Sequence, residues 1–188
     1  MKRLLLMSGA IVAFSVAGAT GALATEIWSG LDYHFEKADW ADWTLPENQD
    51  YYTDNVILTR GDYEGLFNIA LEDYFSDWSL SPLGTEWAYS GMNGNPVWNP
   101  GEGAVNYESL IFSAWVESLE YWVGDFIEYR PGVVHLLDDD IYVDIYCTFW
   151  RCGEDGGGGG FVYDRGIPEP ATLSLLVLGG LLAVGRRR

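Results

Sequence analysis

A ten-residue alternation from Ile141 to Trp150 constrains the fold of this chain more than any other feature. Residues 141, 143, 145, 147 and 149 (Ile, Val, Ile, Cys, Phe) share one side, and residues 142, 144, 146, 148 and 150 (Tyr, Asp, Tyr, Thr, Trp) share the other. Because successive side chains of a strand point to opposite faces, this period of two predicts a β-strand. With residues 133–137 before it and 161–165 after a Gly-rich loop, it predicts an antiparallel three-stranded unit.

Further strands are expected throughout the middle of the chain. Residues 55–60 and 66–70 bracket a hairpin-like turn, residues 85–90 form another candidate strand, and residues 27–35 form an opening one. Residues 107–123 fit either a helical stripe or a strand pair. Strands throughout predict a mainly β protein with a single antiparallel β-sandwich-like domain over residues 25–166.

Charge excludes one class of partner. All 28 acidic residues except Glu169 lie within residues 25–166, whereas only five of the ten basic residues do, which gives this segment a net charge of about −22. Nucleic-acid affinity depends on cationic contacts to phosphates, so nucleic-acid binding is not expected. About a fifth of the segment is aromatic, which supplies a core from few residues and predicts a folded domain despite the charge.

The beginning of the chain predicts export. Lys2 and Arg3 precede an apolar run from Leu4 to Val16, and Ala22-Leu23-Ala24 fits the small-residue pattern that signal peptidase cleaves. We therefore expect residues 1–24 to direct the chain to the Sec translocon, with the mature protein starting near Thr25. An uncleaved membrane anchor or a buried helix is the alternative.

The other end predicts transient membrane association. Ile167-Pro168-Glu169-Pro170 precedes an apolar run over residues 171–184, which ends in Gly185-Arg186-Arg187-Arg188. A helix of about 171–185 is short for a bilayer, although snorkelling arginines make a span feasible. The arginines should stay on the cytoplasmic side. The two prolines hold the chain extended before this helix.

This tail resembles the PEP-CTERM sorting signal over residues 167–188. The resemblance implies recognition of Pro168, Glu169 and Pro170 by an exosortase, retention by the apolar helix, and orientation by Arg186, Arg187 and Arg188. It also implies cleavage near the Pro-Glu-Pro and release to the cell surface or the exopolysaccharide matrix. An ordinary tail anchor is the alternative.

Most of residues 25–166 are similar to a group of exported bacterial proteins to which we attach no activity. The resemblance rests on stretches in the same order: Leu58-Thr59-Arg60-Gly61, Gly65-Leu66-Phe67-Asn68-Ile69, Ser81-Pro82 with Thr85-Glu86-Trp87-Ala88, Asp139 to Ile145, and Gly158 to Tyr163. Neither cysteine belongs to this pattern. The resemblance therefore implies an exported domain and no particular chemistry.

The two cysteines favour a disulfide. Cys147 and Cys152 both lie in the part expected to be exported, where thiol pairs oxidise. A bridge over four intervening residues closes a small loop and contributes about 2 kcal/mol in the loop-entropy model. Two free thiols are the alternative, and a metal site lacks nearby partners.

Acidic residues raise two further possibilities. Asp138, Asp139, Asp140 and Asp144 could hold Ca²⁺, although their spacing lacks the pattern of a calcium loop and a solvated turn fits better. No other cofactor is expected. Glu86, Glu117, Glu120 and Asp144 are candidate members of a glycosidase carboxylate pair. With so many acids, such a pair carries little weight.

The remaining candidates point away from catalysis. No nucleophile motif surrounds Ser90, both histidines (His34 and His135) are isolated, and the run Gly156 to Gly160 favours a flexible connection. Aromatic side chains beside turn residues offer flat faces for sugar rings: Trp40, Trp43, Trp78, Trp98 and Trp150. The sequence thus favours an exported, non-enzymatic surface or matrix protein that binds carbohydrate, with a secreted carbohydrate-active enzyme as the alternative.

Overall fold

The computed structural model describes residues 25–76, 78–103, 106–153 and 156–168. Within these ranges no helix is long and apolar enough to cross a bilayer. The predicted signal peptide with Ala22 and Ala24, and the tail residues Glu169, Pro170, Arg186, Arg187 and Arg188, lie outside the described residues. Thr25 and Pro168, the first and last described residues, are both exposed to solvent.

The described residues form nine strands and two short helices. The strands are β1 (Glu26–Trp28), β2 (Tyr33–Lys37), β3 (Asp50–Tyr51), β4 (Ile57–Arg60), β5 (Leu66–Asn68), β6 (Thr85–Tyr89), β7 (Pro131–Leu136), β8 (Ile141–Trp150) and β9 (Phe161–Arg165). The helices are α1 (Trp115–Ser118) and α2 (Val123–Phe126), and single 3₁₀ turns occupy Pro46–Asn48 and Tyr107–Ser109. The predicted mainly β class is confirmed.

Two sheets organise the strands. The larger has the order β2-β9-β8-β7-β6 with antiparallel neighbours, and β1 lies parallel to the beginning of β8. The smaller has the antiparallel order β3-β4-β5. The predicted antiparallel unit of β7, β8 and β9 and the hairpin of β4 and β5 are both confirmed.

Both faces of the larger sheet are covered. On one face Trp87, Val134 and Val143 join Leu58 and Leu66 of the smaller sheet in a single apolar core. On the other face a second cluster forms from Ala88, Trp98, Tyr107, Leu110 and Val133. Central strands covered on both faces lose the simple apolar–polar alternation, which explains why β7 is buried along nearly its whole length.

A buried ion pair joins the two sheets. The Asp50 carboxylate in β3 accepts hydrogen bonds from Nε and Nη2 of Arg165 in β9, each at 2.8 Å. The Tyr163 hydroxyl donates a third at 2.6 Å. The rings of Tyr33 and Tyr52 lie 4.3 and 4.2 Å from the guanidinium carbon. Two charge-assisted bonds in this planar geometry fix β3 against β9.

A β-bulge in β8 alters the predicted facing of its last residues. The register with β9 shifts between Cys147 and Phe149. Cys147 and Trp150 are consequently both in the core, whereas Phe149 is exposed. The prediction that Phe149 shares a face with Cys147 is wrong, because the extra residue of a bulge moves the pleat by one position.

Two other sequence predictions need correction. Residues 27–35 form two strands, separated by a turn in which Gly30 adopts a φ of +86°. Residues 107–123 contain a 3₁₀ turn and α1 instead of one long helix or a strand pair. Of the proposed helical stripe, Trp115 and Leu119 are buried and Ile111 and Trp122 are exposed.

Candidate ligand-binding site

Arg60 is a buried cation at the end of β4. Its side chain is 2% exposed, and the guanidinium carbon lies 3.7 Å from the centroid of the Trp150 ring. Nε donates a hydrogen bond of 3.0 Å to the backbone carbonyl of Glu64. A cation over an indole face is attracted by the ring, which offsets part of the cost of removing the charge from water.

Arg60 has no carboxylate partner among the described residues. Nη1 is buried without a hydrogen-bond partner. Asp39, an acid close enough to influence it, instead pairs with Arg151 at 3.0 Å and accepts from the Gly160 amide. Burial lowers the pKa of Arg60 to about 10, against the opposing effect of the nearby thiols and Asp39. The guanidinium therefore stays charged at neutral pH.

A cavity of about 230 Å³ opens beside this cation, and we call it the Arg60 pocket. It is lined by Arg60, Tyr63, Glu64, Gly65, Phe75, Trp115, Val116, Val123, Gly124, Trp150, Cys152 and Gly153. The walls are mostly apolar, with the guanidinium as the one cation among the lining residues. Such a combination of apolar walls and few polar groups is typical of sites for small ligands.

Packed aromatic rings form one wall of the pocket. Phe75 meets Trp115 edge-on at 6.3 Å, and Trp115 meets Trp150 at 5.4 Å between ring centroids. The backbone of Gly65 lies against these rings, and a Cβ at this position would be 2.8 Å from both Phe75 and Trp115. Because these rings are mutually packed, the wall is rigid and exists before any ligand arrives.

Two exposed aromatic side chains lie at the rim. Tyr63 lines the pocket, and its ring meets that of Trp40 edge-on at 5.6 Å between centroids. Both side chains are more than half exposed. Trp40 adopts a φ of +62°, a conformation that a bulky residue adopts only when its surroundings impose it.

The Gly-rich loop holds this rim in place. The Trp40 amide donates to the Gly158 carbonyl at 2.6 Å, and the Gly158 amide donates to Asp62 at 2.8 Å. Residues 157–160 are buried, with Gly157 against the Tyr63 ring. The run predicted to be a flexible connection is packed into the fold, because glycines here allow backbone to pack directly on backbone.

The aromatic residues proposed for sugar binding divide into three groups. Trp40 and Trp78 are exposed, the latter at 97%, and Trp43 is half-buried against Phe67. Trp98 and Trp150 are buried. Trp150 nevertheless belongs to the site, because its ring lies against Arg60. Sequence reasoning missed Arg60 and Tyr63 as site residues.

No family model, curated protein or solved structure matches this chain. The resemblance of residues 167–188 to a PEP-CTERM tail stays a prediction, and the chemistry of the Arg60 pocket has to be derived from its own side chains.

The two cysteines are not bridged in the structure. Cys147 is a buried thiol that donates to the Phe149 carbonyl at 3.3 Å. Cys152 lies in the wall of the Arg60 pocket, with its sulfur against Gly124. The structure therefore shows the alternative of two thiols, since the bulged end of β8 directs Cys147 into the core while Cys152 faces α2.

Thiol reactivity should separate the two cysteines. Burial raises the pKa of Cys147 to about 12, and only the thiolate attacks a disulfide reagent. We expect one reactive thiol per folded chain at pH 8 and two in denaturant, measured with a chromogenic disulfide. A Cys152→Ser variant should show none when folded. No reactive thiol even in denaturant would instead demonstrate the disulfide.

The acidic residues proposed for calcium do not converge. Asp139 accepts from Thr53 and Asn55, Asp140 from Thr25, and Asp144 from Tyr107 and the Gly30 amide, while Asp138 is exposed. Within the described residues no group of three acidic, histidine or cysteine side chains could hold a metal ion. These carboxylates instead tie the turn and β8 to neighbouring segments.

The candidate glycosidase carboxylates are also engaged or exposed. Glu86 bonds His135 at 2.8 Å, and Glu117 accepts from Tyr121 at 3.1 Å. Glu120 lies after α1 in a left-handed conformation.

His135 also bonds Asp140 at 3.3 Å and stacks on Tyr142 at 4.1 Å, while His34 bonds Asp164 at 2.7 Å. Ser90 is bonded to the backbone of Trp98.

Asp144 should make stability depend on pH. Burial raises its pKa above 3.8, and hydrogen bonds from the Gly30 amide and Tyr107 oppose the shift. A carboxyl whose pKa is higher in the folded state destabilises the fold when ionised, so its cost grows as pH rises. Compared with Asp144→Asn, the parent should lose stability as the pH rises from acid through the raised pKa of Asp144, measured by urea unfolding. The expectation would be contradicted if the difference in unfolding free energy between parent and variant did not change with pH, or if the parent gained stability as pH rose.

Proposed function

We propose that this chain is an exported, non-enzymatic protein of the cell surface or exopolysaccharide matrix. Signal peptidase would remove residues 1–24, and an exosortase would release the protein by cutting near Pro168-Glu169-Pro170. Its folded part would be a β-sandwich-like domain whose two sheets share one core. The signal-like beginning and the Pro-Glu-Pro tail support this route, together with the exposure of Thr25 and Pro168.

We propose that the exported domain binds carbohydrate at the Arg60 pocket. The observation that carries this proposal is the exposed pair of Tyr63 and Trp40 at the rim of a rigid aromatic cavity. Flat aromatic faces with polar edges suit sugar rings. A pocket of about 230 Å³ would take one sugar unit, with the rest of the chain crossing the rim.

A non-enzymatic role is supported by the partners of the candidate carboxylates. Glu86 is bonded to His135, and Asp144 is buried with Tyr107 and the Gly30 amide as partners. A retaining or inverting glycosidase needs two carboxyl groups that face each other across a sugar-binding cleft. Among the described residues that line the Arg60 pocket, only Glu64 has a carboxylate side chain.

Processing can be tested by the mass of the protein at its destination. Protein recovered from the cell surface or matrix should begin near Thr25 and end between Pro168 and Pro170. Cells lacking exosortase should retain the tail in the membrane. Protein that still carries Arg186–Arg188 at the surface would mean that it is simply membrane-anchored.

Binding can be tested on the producing cell's own exopolysaccharide. Tyr63→Ala and Trp40→Ala should each reduce the retained fraction, with about a tenfold loss of affinity for the stronger variant. Tyr129→Ala is the matched control, because Tyr129 is as exposed as Tyr63 but lies at a separate depression with Arg130 and Pro131. Folded protein that does not bind, or equal loss in the control, would contradict the proposal.

A further inference from the structure

We propose that the Arg60 pocket recognises a carboxylate, and that its ligand is a sugar unit with a single acid group, such as a terminal hexuronate. This inference rests on the proposed carbohydrate-binding function and specifies its substrate class. It follows from an unpaired buried cation in an open cavity, and not from the aromatic rim.

The buried charge of Arg60 is unfavourable unless an anion pairs with it. A buried guanidinium normally has a carboxylate partner, because removing an unpaired charge from water is strongly unfavourable. Arg165 follows that rule, with Asp50 bonded at two of its nitrogens. Arg60 does not, although the described residues hold many acids. Arg60 thus has no carboxylate partner among the described residues, and its charge is available to an anion from outside.

The hydrogen bonds of the Arg60 guanidinium leave part of it available to a ligand. Arg60 is held by the Trp150 ring and by the Glu64 carbonyl, which uses Nε alone. Nη1 is buried and has no hydrogen-bond partner among the described residues. A planar guanidinium with a free edge binds a carboxylate through parallel hydrogen bonds, whereas it offers a neutral hydroxyl a weaker contact.

The volume of the Arg60 pocket and the charge around it limit the size and the charge of a ligand. The cavity of about 230 Å³ contains one cation and apolar walls formed by Phe75, Trp115 and Val123. The segment around it carries a net charge of about −22, so a ligand with many charges is repelled as a whole. A sugar ring with a single carboxylate and one apolar face suits the one cation and the apolar walls. It also avoids the repulsion expected for a ligand with many charges.

Glu64 adds a specific prediction about repulsion. Its exposed carboxylate lines the same pocket, close to the Gly61 turn. An incoming carboxylate would be repelled by Glu64, whereas a neutral sugar would not. Glu64→Gln changes an exposed side chain without touching the core and should therefore leave the fold intact.

The test is calorimetric titration of the exported protein with paired probes. Methyl glucuronide should bind at least about tenfold tighter than methyl glucoside, which corresponds to about 1.4 kcal/mol. Arg60→Met should abolish that preference, and Glu64→Gln should increase the preference for the uronide over the glucoside a few-fold. Hexanoate, which carries a carboxylate without a sugar, should bind more weakly than the uronide.

The outcomes distinguish this inference from the function on which it rests. Equal binding of the two glycosides, or an unchanged preference in folded Arg60→Met, would overturn the carboxylate inference and leave carbohydrate binding standing. Hexanoate that binds as tightly as the uronide would overturn the sugar-acid assignment. Folded protein that binds neither glycoside nor exopolysaccharide would overturn both. If Arg60→Met does not fold, the Glu64→Gln result decides, since an unchanged preference there contradicts the inference.

Discussion

Replacing Asp50 with alanine is expected to lower the free energy of unfolding by about 3–5 kcal/mol, because it leaves the buried Arg165 guanidinium without its counter-charge. Asp50 is fully buried, and it accepts three hydrogen bonds from Arg165 and Tyr163. These bonds connect β3 of the smaller sheet to β9 of the larger. For a domain of this size the melting temperature should fall by roughly 10–20 °C.

Two further variants show whether the loss comes from the charge. Asp50→Leu combined with Arg165→Met removes both charges and should recover much of the stability, because a buried pair is often replaceable by apolar side chains. Asp164→Ala is the matched control on β9, next to Arg165, since Asp164 pairs at 2.7 Å with the exposed His34 and should change stability far less. Denaturant unfolding measures all of these. A loss in Asp50→Ala no larger than that in Asp164→Ala would contradict the expectation.

The strands that the sequence predicts best are those with local signals. The bounds of β8 and β9 agree with the structure residue for residue, because long alternation and flanking Gly-rich or acidic turns specify a strand without tertiary information. The bulge before Phe149 was not predictable in this way. It depends on how Trp150 packs against Arg60 and Trp115, which lie far away in the sequence.

The site was less predictable than the fold. An arginine at the end of a strand, followed by Gly-Asp, is usually exposed, and nothing local shows that Arg60 is buried. Its burial depends on Trp150 and Trp115, which lie far from it in the sequence. One signal was available in the sequence: Arg60 is one of five basic residues in a segment with 27 acidic ones. Because basic residues are so few, each is a candidate site residue, but their number does not show which one lacks a carboxylate partner.

The loop over residues 156–160 gives the clearest case of a composition that misleads. Consecutive glycines are typical of flexible linkers. Here four of the five are buried, and their amides and carbonyls bond Asp39, Trp40, Asp62 and Arg151. The absence of side chains lets the loop approach the Gly61 turn at backbone distance. The same residue type therefore serves close packing, and only the fold distinguishes the two uses.

Gly159→Ala is expected to destabilise the protein by about 2–3 kcal/mol more than Gly156→Ala. Gly159 has a φ of +63°, and a Cβ there would collide with the carbonyl oxygen of Gly61 and the Cα of Asp62. Gly156 also has a positive φ, of +100°, but a Cβ there would meet nothing within 4 Å. Because both alanines suffer backbone strain, the difference between the variants isolates the collision with backbone atoms.

Urea unfolding of the two variants measures this difference, and ligand binding provides an independent readout. The Gly61 turn precedes Tyr63, so a displaced turn in Gly159→Ala should move the aromatic rim and weaken retention on exopolysaccharide. Gly156→Ala should retain binding, because its change lies on the exposed side of the loop. Equal stability losses in the two variants would mean that the loop yields without cost. The Gly-rich run would then be the flexible connection that its composition suggests, and the position of Tyr63 would have to be fixed by Trp40 and Arg60 alone.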